Sequence, residues 1–389
     1  MNNYILWVWL KLALDDSSIK LYQLYKNFNS ISELYNTIEN TDLSKFGNLR
    51  ENEIQALKNK DLTNARKIVE ICEINNIKMV SIEDDNYPEF LREITYPPCL
   101  LFYYGRYEHA MSKPRLTIVG TRECTTYGEV VTASFSSALA ASGFTIVSGV
   151  AKGIDYIAAE SALKADGSLI LIIPCGILSA DFYLKYRFKN IKNNGVIISE
   201  HLPYYKTRKY SYQERNRLLS GISEGCLVTQ APFKSGAVIT ANYALNQGKD
   251  VFAVMANIDI EQSAGSNQLI KDGAYPTASY SDIIDFYMPK YSDKINKIKK
   301  CDPATLYNSY QPEENDLEKI MNYKRDIYPH LDDIEREILE IIDTTEITSM
   351  RIYESTRFGI SEILGALSSL EAKGIIEKLP GDKFKLIIM

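Results

Sequence analysis

The chain has 389 residues, of which 45% are hydrophobic and 24% are charged, and its formal net charge is −6 at pH 7. This length exceeds one ordinary hydrophobic core, so we expect two or three domains, and the composition is that of a soluble globular protein. The negative net charge argues against a protein that coats nucleic acid with its whole surface. It leaves room for a local basic groove, because binding responds to the local potential.

Cysteine and histidine are too scattered to indicate a metal site or a catalytic centre. The six cysteines include no CxxC pair, so neither a disulfide framework nor a zinc site is predicted. His109, His201 and His330 lie far apart in the sequence and near no candidate nucleophile, so we expect structural or solvated roles for them. We therefore expect no metal, no cofactor and no catalytic residue, and a reducing cytoplasm as the compartment.

The N-terminal part, residues 1–82, is predicted to be a small helical module. Apolar residues recur there at helical spacing from Leu6 to about Ile77. The first apolar run is interrupted by Lys11 and follows no basic segment, which favours a core helix over a signal peptide or a membrane span. Between Asp84 and Gly105, three prolines and several aromatic residues exclude a long helix and predict an extended connector packed against the next part of the chain.

The middle third of the chain contains short apolar runs, each followed by a helical pattern. Continuous hydrophobicity is typical of strands buried on both faces, and helices between such strands predict a parallel, doubly wound α/β sheet. Together with the connector, this core is assigned to residues 83–290. The predicted strands are 116–120, 144–149, 168–174, 195–199, 226–231 and 250–255.

The C-terminal part is predicted to be a linker followed by a small domain. Residues 291–330 are polar and lysine-rich, which is typical of a linker. Residues 331–389 carry three helical patterns and then two strand patterns that meet at Gly381-Asp382, which is the order of a winged helix. The third helical pattern, 360–374, has Lys373 as its only cation, which favours protein contact or structural closure over duplex recognition.

Three turns between a predicted strand and the following helix have residues suited to phosphate. They contain Gly120-Thr121-Arg122, then Gly149 to Gly153 with Lys152, and Lys234-Ser235-Gly236. In a doubly wound sheet, ligands collect at the carboxyl ends of the strands, where glycine admits a close approach and helix starts offer amide donors. The first turn lacks GxGxxG and the chain lacks GxxxxGK[ST], which disfavours a dinucleotide site and a P-loop ATPase. The ligand stays open on this pattern alone.

A segment rich in cations and aromatic residues runs from Lys185 to Arg217. Cations that follow a backbone, next to rings on which bases can stack, are typical of a groove for single strands. For residues 185–192 a solvated basic face is favoured, whereas residues 206–217 favour the groove. The cations are Lys185, Arg187, Lys189, Lys192, Lys206, Arg208, Lys209, Arg215 and Arg217, and the rings are Tyr186, Phe188, Tyr204, Tyr205, Tyr210 and Tyr212.

The order of these motifs closely resembles the DNA-processing protein A family, also called Smf. The matching segments are IVGTR, YG, SGVAKGID, GVIISEHLP, RNRLLSGIS, SGAVITA and SAGSNQLIKDGA, preceded by YPEFL and YPPCLLFYYG. The resemblance covers nearly the whole chain and implies a Rossmann-like core with a helical N-terminal module and a C-terminal winged helix. It also implies binding of single-stranded DNA, loading of a RecA-type recombinase during natural transformation, and homodimers formed by the cores.

The same resemblance implies a set of DNA-binding residues. Phosphates would be held by cations in the first two turns and in the RNR segment, and bases would stack on Tyr212, with Tyr210 as a second candidate. The phosphate-binding cations are Arg122, Lys152, Arg215 and Arg217. The whole implied set is Gly120, Thr121, Arg122, Ser148, Gly149, Lys152, Gly153, Lys209, Tyr212, Arg215, Asn216, Arg217, Ser235 and Gly236.

The chain departs from the family pattern at several positions around these turns. Lys152 replaces a usual arginine, which keeps the charge but loses the two-pronged guanidinium. The YPxxN segment that usually follows the third strand has no clear counterpart. We expect the fold and the phosphate-facing turns to be kept while the details of the pocket differ. The further departures are Ala159 for histidine, Pro174 for glycine, Gln230 for an acid, and Met255-Ala256 for Pro-Gly.

A second interpretation is a nucleotide-binding sensor or a nucleotide-processing enzyme of the related Rossmann-like class. Such proteins often have a PGGxGT turn with a nearby acid, whereas this chain has SGAVITA and Gln230, which disfavours hydrolysis. The sequence brings no nucleophile, base and orienting group together, so a binding protein without catalytic activity is the favoured interpretation.

Overall fold

The computed structural model describes residues 3–46, 49–180, 191–208, 210–296, 331–342, 347–356, 358–379 and 381–386. The chain divides into two compact units, Met1–Ser309 and Tyr310–Met389. Most of the predicted linker, residues 297–330, lies outside the described residues, as does the basic segment 181–190.

The first unit begins with helices whose polar caps are set by the sequence. Ser17 and Ser30 accept hydrogen bonds from the backbone amides of Lys20 and Glu33, which fixes where two of the helices begin. No helix in the described ranges is long and apolar enough to cross a membrane. The helices are α1 Asn3–Ala13, α2 Ser18–Tyr25, α3 Ile31–Thr37, α4 Glu51–Asn59 and α5 Thr63–Ile74, with 3-10 turns at Ile38–Asn40 and Leu43–Phe46.

A large sheet forms the centre of this unit. Over the described residues it has nine strands in the order β1-β2-β6-β5-β4-β3-β7-β8-β9, and every pair from β6 to β9 is parallel. The strands are β1 Lys78–Ser81, β2 Leu100–Gly105, β3 Arg115–Val119, β4 Thr145–Ser148, β5 Ser168–Ile172, β6 Gly195–Ser199, β7 Gly225–Val228, β8 Asp250–Val254 and β9 Tyr275–Thr277.

Both faces of the sheet are buried, which confirms the predicted doubly wound α/β fold. Successive residues of a strand enter opposite cores: Ile118 packs on one side and Val119 on the other. The N-terminal helices share the first of these cores, so they are continuous with the sheet. The helices around the sheet are α6 Glu89–Arg92, α7 Tyr107–Met111, α8 Thr126–Ala141, α9 Ile154–Lys164, α10 Ile191–Asn194, α11 Ser211–Gly221, α12 Gly236–Asn246, α13 Ala264–Lys271 and α14 Tyr280–Tyr287.

The C-terminal end of the segment predicted to be a connector is a strand of the sheet, β2. β2 pairs antiparallel with β6, placing Tyr103 opposite Ile198, and β1 pairs antiparallel with β2. Pro97 and Pro98 stand just before β2, where their missing amide donors do not interrupt the ladder. The segment thus has no long helix, as expected, but the prolines exclude neither the short helix Glu89–Arg92 nor the strand.

The second unit has three helices and a small antiparallel sheet in its described residues. The carboxylate of Asp332 accepts from the amide of Glu335, and the carboxylate of Glu335 accepts from the amide of Asp332, which caps the first helix of this unit. Glu335 also accepts hydrogen bonds from Ser369 in the third helix and from Lys373 at its end. The strand order is β10-β12-β11. This element order is compatible with a winged helix, and that assignment stays a prediction. The elements are α15 Asp333–Ile341, β10 Ile347–Thr348, α16 Ser349–Ser355, α17 Ile360–Ala372, β11 Ile376–Leu379 and β12 Lys383–Leu386.

Candidate nucleic-acid interface

The three glycine-containing turns lie at the carboxyl ends of three neighbouring strands. β4, β3 and β7 are adjacent and parallel, so the turns that follow them meet at one edge of the sheet. The topology thereby brings together segments that are separated by more than a hundred residues in the sequence.

The first two turns are packed directly against each other. Gly153 has φ of +85°, and a Cβ at this position would lie 2.4 Å from the carbonyl oxygen of Thr121. The next amide, that of Ile154, donates to the same oxygen at 3.1 Å. Only glycine fits this contact, because any side chain would displace one turn from the other.

Exposed cations and an aromatic ring meet beside these turns. The guanidinium carbon of Arg122 lies 5.2 Å from the centre of the Tyr212 ring, which is a cation–π distance. Tyr212, at the start of α11, is 40% exposed, and Arg122 is also exposed. Lys152 is exposed in the second turn, which adjoins that of Arg122. The edge therefore offers positive charge and a stacking surface together.

Arg215, expected to bind phosphate, is instead an internal support of the second turn. It is 3% exposed, and its Nη1 donates to the carbonyl oxygens of Gly149, at 2.7 Å, and Ile172. A Cβ on Gly149 would lie 2.5 Å from both Arg215 Nη1 and a carboxylate oxygen of Asp155. Burial lowers the pKa of Arg215, and the charge of Asp155 opposes that shift. The guanidinium is therefore committed to the backbone beneath the turn.

Asp155 is the negative group under this edge. Burial raises its pKa to about 6, and the Arg215 charge and the amides of Gly120 and Ala151 act in the opposite direction. Ser148 is also buried, with its hydroxyl donating to the carbonyl oxygens of Ile118, at 2.9 Å, and Asp155, at 3.1 Å. The Ser148 side chain thus joins strands to the helix start and does not face a ligand.

Arg217 is likewise turned inward, an orientation that the sequence pattern of the RNR segment does not predict. It is 8% exposed, forms an ion pair with Glu200, and donates to the carbonyl oxygen of Tyr96 at 2.9 Å. Between the two arginines, Asn216 donates to the carbonyl oxygen of Gly236 at 3.4 Å, which links α11 to the start of α12. Helix α11 carries these residues on its inner side, and a linear pattern of cations does not reveal that orientation.

The third turn presents a ring and a cation. Ser235 caps α12 by accepting from the amide of Val238 at 3.3 Å, whereas Lys234 and Gly236 are exposed. Phe233 is 60% exposed, and the sequence interpretation missed it. The available signal was an aromatic residue inside the polar turn APFKSG. Lys209 lies outside the described residues, and Tyr210 is exposed.

The departures from the family pattern are accommodated as packing. Gln230 is buried and joins two elements, since it accepts from the amide of Thr125 at 2.9 Å and donates to the hydroxyl of Ser263 at 3.1 Å. The carbonyl of Met255 accepts from the Tyr127 hydroxyl at 2.8 Å, and Ala159 is fully buried. The described residues contain no cluster of three or more histidine, cysteine or acidic side chains able to hold a metal ion.

Comparison with known proteins identifies the family. A family model described as DNA recombination-mediator protein A matches residues 78–288, which include all three turns. Protein Smf of Synechocystis is 31% identical over 319 residues, covering 80% of each chain. DNA processing protein DprA of Bacillus subtilis is 35% identical over 215 residues, covering 54% of this chain and 71% of the relative.

A solved structure agrees with these sequence matches. The X-ray structure of DNA processing protein A from Streptococcus pneumoniae is 28% identical, superposes with a TM-score of 0.63, and covers 73% of this chain and 98% of that chain. The family match spans more than half of the chain, and the Smf relative matches most of it. The chain therefore belongs to the DNA recombination-mediator protein A family, that of the proteins named Smf and DprA.

Proposed function

We propose that the protein binds single-stranded DNA at the carboxyl edge of its large sheet and delivers it to a RecA-type recombinase, without catalysing a reaction on the DNA. The observation that carries the proposal is the exposed Arg122 guanidinium over the exposed Tyr212 ring, with Lys152 in the adjoining turn. Single strands are held by cations along the backbone and rings against the bases. Membership in a family of DNA recombination mediators supports the same function.

The width of the edge favours a polymer over a single nucleotide. Adjacent strands lie about 4.8 Å apart, so the turns after β4, β3 and β7 extend over roughly 10 Å. One phosphate reaches one or two of these turns, whereas a strand reaches all three. The buried Arg215 and Arg217 support this edge by fixing the backbone of the second turn and the position of α11.

The direct test removes the exposed charges. Arg122→Ala and Lys152→Ala should each weaken binding of a fluorescent oligothymidine, and each should reduce the salt slope of log K by about 0.7 per lost phosphate contact. Lys67→Ala, which removes an exposed cation on α5, is the matched control and should leave both quantities unchanged. Fluorescence anisotropy from low to high salt measures them. Unchanged affinity and slope in the Arg122 and Lys152 variants would contradict the proposed groove.

A mononucleotide ligand is the alternative that the same assay addresses. A protein that binds nucleoside monophosphates gains thermal stability from them, whereas a strand-binding site gains it only from the oligonucleotide. A rise in melting temperature with a mononucleotide, and none with the oligonucleotide, would favour a mononucleotide site over the proposed function.

The assembly and partners are part of the proposal. We infer a homodimer that acts on DNA in the cytoplasm during recombination and natural transformation. The family's description as a recombination mediator supports a recombinase partner. Sedimentation measures the dimer, and the rate at which a RecA-type recombinase assembles on protein-coated single strands measures the delivery. If this protein does not accelerate assembly of the recombinase, delivery is refuted, whereas the proposal that it binds single strands is unaffected.

A further inference from the structure

We infer that Phe233 is a second base-stacking residue of the strand-binding edge, with Lys234 holding the adjoining phosphate. This inference rests on the proposed function and extends it to the third turn. Phe233 lies between β7 and α12 and leaves 60% of its surface exposed. Burying such a ring would stabilise the fold, so its exposure is not explained by the stability of this chain.

The turn that carries Phe233 is held rigidly on both sides. On one side, the amides of Gly265 and Ser266 donate to the carbonyl oxygen of Ala231 at 2.8 and 3.2 Å. A Cβ on Gly265 would lie 2.4 Å from the carbonyl oxygen of Pro232, so α13 begins directly against this turn. On the other side, Ser235 caps α12. A ring on a fixed backbone loses less entropy when it receives a ligand.

Helix α11 connects the two exposed rings. Tyr212 and Asn216 are four residues apart on this helix, about one turn. Asn216 donates to the carbonyl oxygen of Gly236, three residues after Phe233. One helical turn rises about 5.4 Å, so Tyr212 lies about one turn along α11 from the residue that contacts the third turn.

Each ring has its own cation. Arg122 lies over Tyr212, and Lys234 follows Phe233 and is exposed. Alternation of ring and cation suits a chain in which bases alternate with phosphates. A purely apolar protein partner would use the rings and leave the cations without a role, so a strand fits the third turn better than a protein surface does.

The test replaces the ring and keeps its bulk. Phe233→Leu should weaken binding of oligothymidine by roughly five- to a hundred-fold, the range for one stacked base, and Phe233→Trp should restore it. Tyr353→Leu, which removes a 41% exposed ring from the second unit, is the matched control and should bind as the wild type does. Anisotropy titrations with intact strands and with strands that carry abasic sites measure these effects.

The abasic strands separate stacking from other causes. The wild type should lose affinity when a base is removed at one position in the bound strand, and Phe233→Leu should lose nothing further at that position. The inference is overturned if both proteins lose the same affinity at every abasic position. It is also overturned if Phe233→Leu binds DNA as the wild type does, whether or not that variant still captures the recombinase. If Arg122→Ala weakens binding while Phe233→Leu does not, the inference fails and the proposed function stands. If the wild type does not bind the strand, the proposed function itself fails.

Discussion

Asp155 should give the proposed strand-binding edge a pH dependence that the exposed residues do not supply. Its carboxyl group is buried beneath the first two turns, close to Arg215, and its pKa is raised to about 6. At pH 7.5 the group is negative and opposes a polyanion, and at pH 5 it is protonated and neutral. Strand binding should therefore strengthen as the pH falls through about 6.

This change can be measured at constant ionic strength. One charge about 10 Å from a phosphate, at an effective dielectric constant of 20 to 80, predicts a roughly two- to fifteen-fold gain in affinity for oligothymidine between pH 7.5 and pH 5. Asp155→Asn should bind at pH 7.5 as tightly as the wild type binds at pH 5 and should show a flat profile. The same pH dependence in both proteins would assign the titration to another group.

Substitutions at Arg215 and at Arg122 should separate an effect on folding stability from an effect on DNA binding. Arg215→Met leaves the buried carbonyl oxygens of Gly149 and Ile172 without their charged donor and removes the charge that acts on Asp155, so the free energy of unfolding should fall by about 3–5 kcal/mol. Arg122→Met, at an exposed position, should stay within about 0.5 kcal/mol of the wild type. Urea unfolding measures both variants. A stable Arg215→Met protein with reduced DNA affinity would return Arg215 to the role of a direct phosphate contact.

At the scale of elements, the contact between the first two turns depends on Gly153. Gly153→Ala should lower the free energy of unfolding by more than 2 kcal/mol and weaken strand binding, because φ of +85° is unfavourable for alanine and the methyl group would meet the Thr121 carbonyl. Gly248→Ala is the matched control, since Gly248 also has a positive φ, +69°, but has open space around it. It should cost only about 1 kcal/mol and leave binding intact. Equal effects of the two substitutions would show that the turns do not depend on this contact.

The strands of the core were predictable because burial on both faces leaves a continuous apolar run. All six predicted runs contain strands of the sheet, with ends that differ by a few residues. The sequence analysis did not predict β2 because the nearby prolines and aromatic residues indicated a connector, and it did not predict β1 because β1 lies within the part assigned to the helical module. Pairing with β6 is a long-range contact that no local pattern displays.

The geometry of the candidate site was predictable in its turns and less so in the orientation of its side chains. Glycine and cation patterns locate Gly153, Arg122 and Lys152 because backbone approach and charge are properties of single residues. The direction of Arg215 and Arg217 depends on which side of α11 meets the sheet, and the adjacent cations do not indicate it. Phe233 was missed because one exposed ring in a turn has no periodic signature.

For the whole molecule, the N-terminal helices are joined to the core by a buried polar cluster as well as by apolar packing. Lys11 lies 2.8 Å from Asp16, with both side chains at most 5% exposed. The other oxygen of Asp16 lies 2.9 Å from His201 Nδ1 and accepts from the amide of Leu202 at 3.2 Å. His201 and Leu202 follow β6 on the chain and precede α11, which carries Tyr212. The helical module therefore supports the segment that leads into the binding edge.

Asp16→Asn tests this coupling with little change in shape, because asparagine also tolerates the left-handed backbone found here, φ of +58°. Removing one partner of a buried pair should lower the free energy of unfolding by about 3–5 kcal/mol. Asp15→Asn, at an exposed neighbour that pairs with Arg50 and Arg208, should cost less than about 1 kcal/mol. The fluorescence of Trp7 and Trp9, both buried in α1, reports the transition during urea unfolding.

The pH dependence of the stability difference between wild type and Asp16→Asn tests whether the charge of Asp16 causes that difference. Burial alone would raise the pKa of Asp16, but Lys11 and His201 outweigh burial and hold it below its ordinary value. The stability that Asp16 contributes is thus complete above its unfolded-state pKa of about 3.9 and is lost as the pH falls through its lower folded-state value. The difference in unfolding free energy between wild type and Asp16→Asn should shrink as the pH falls below about 4. A gap that persists at low pH would mean that the cluster stabilises the junction through packing and hydrogen bonds, without a net contribution from charge.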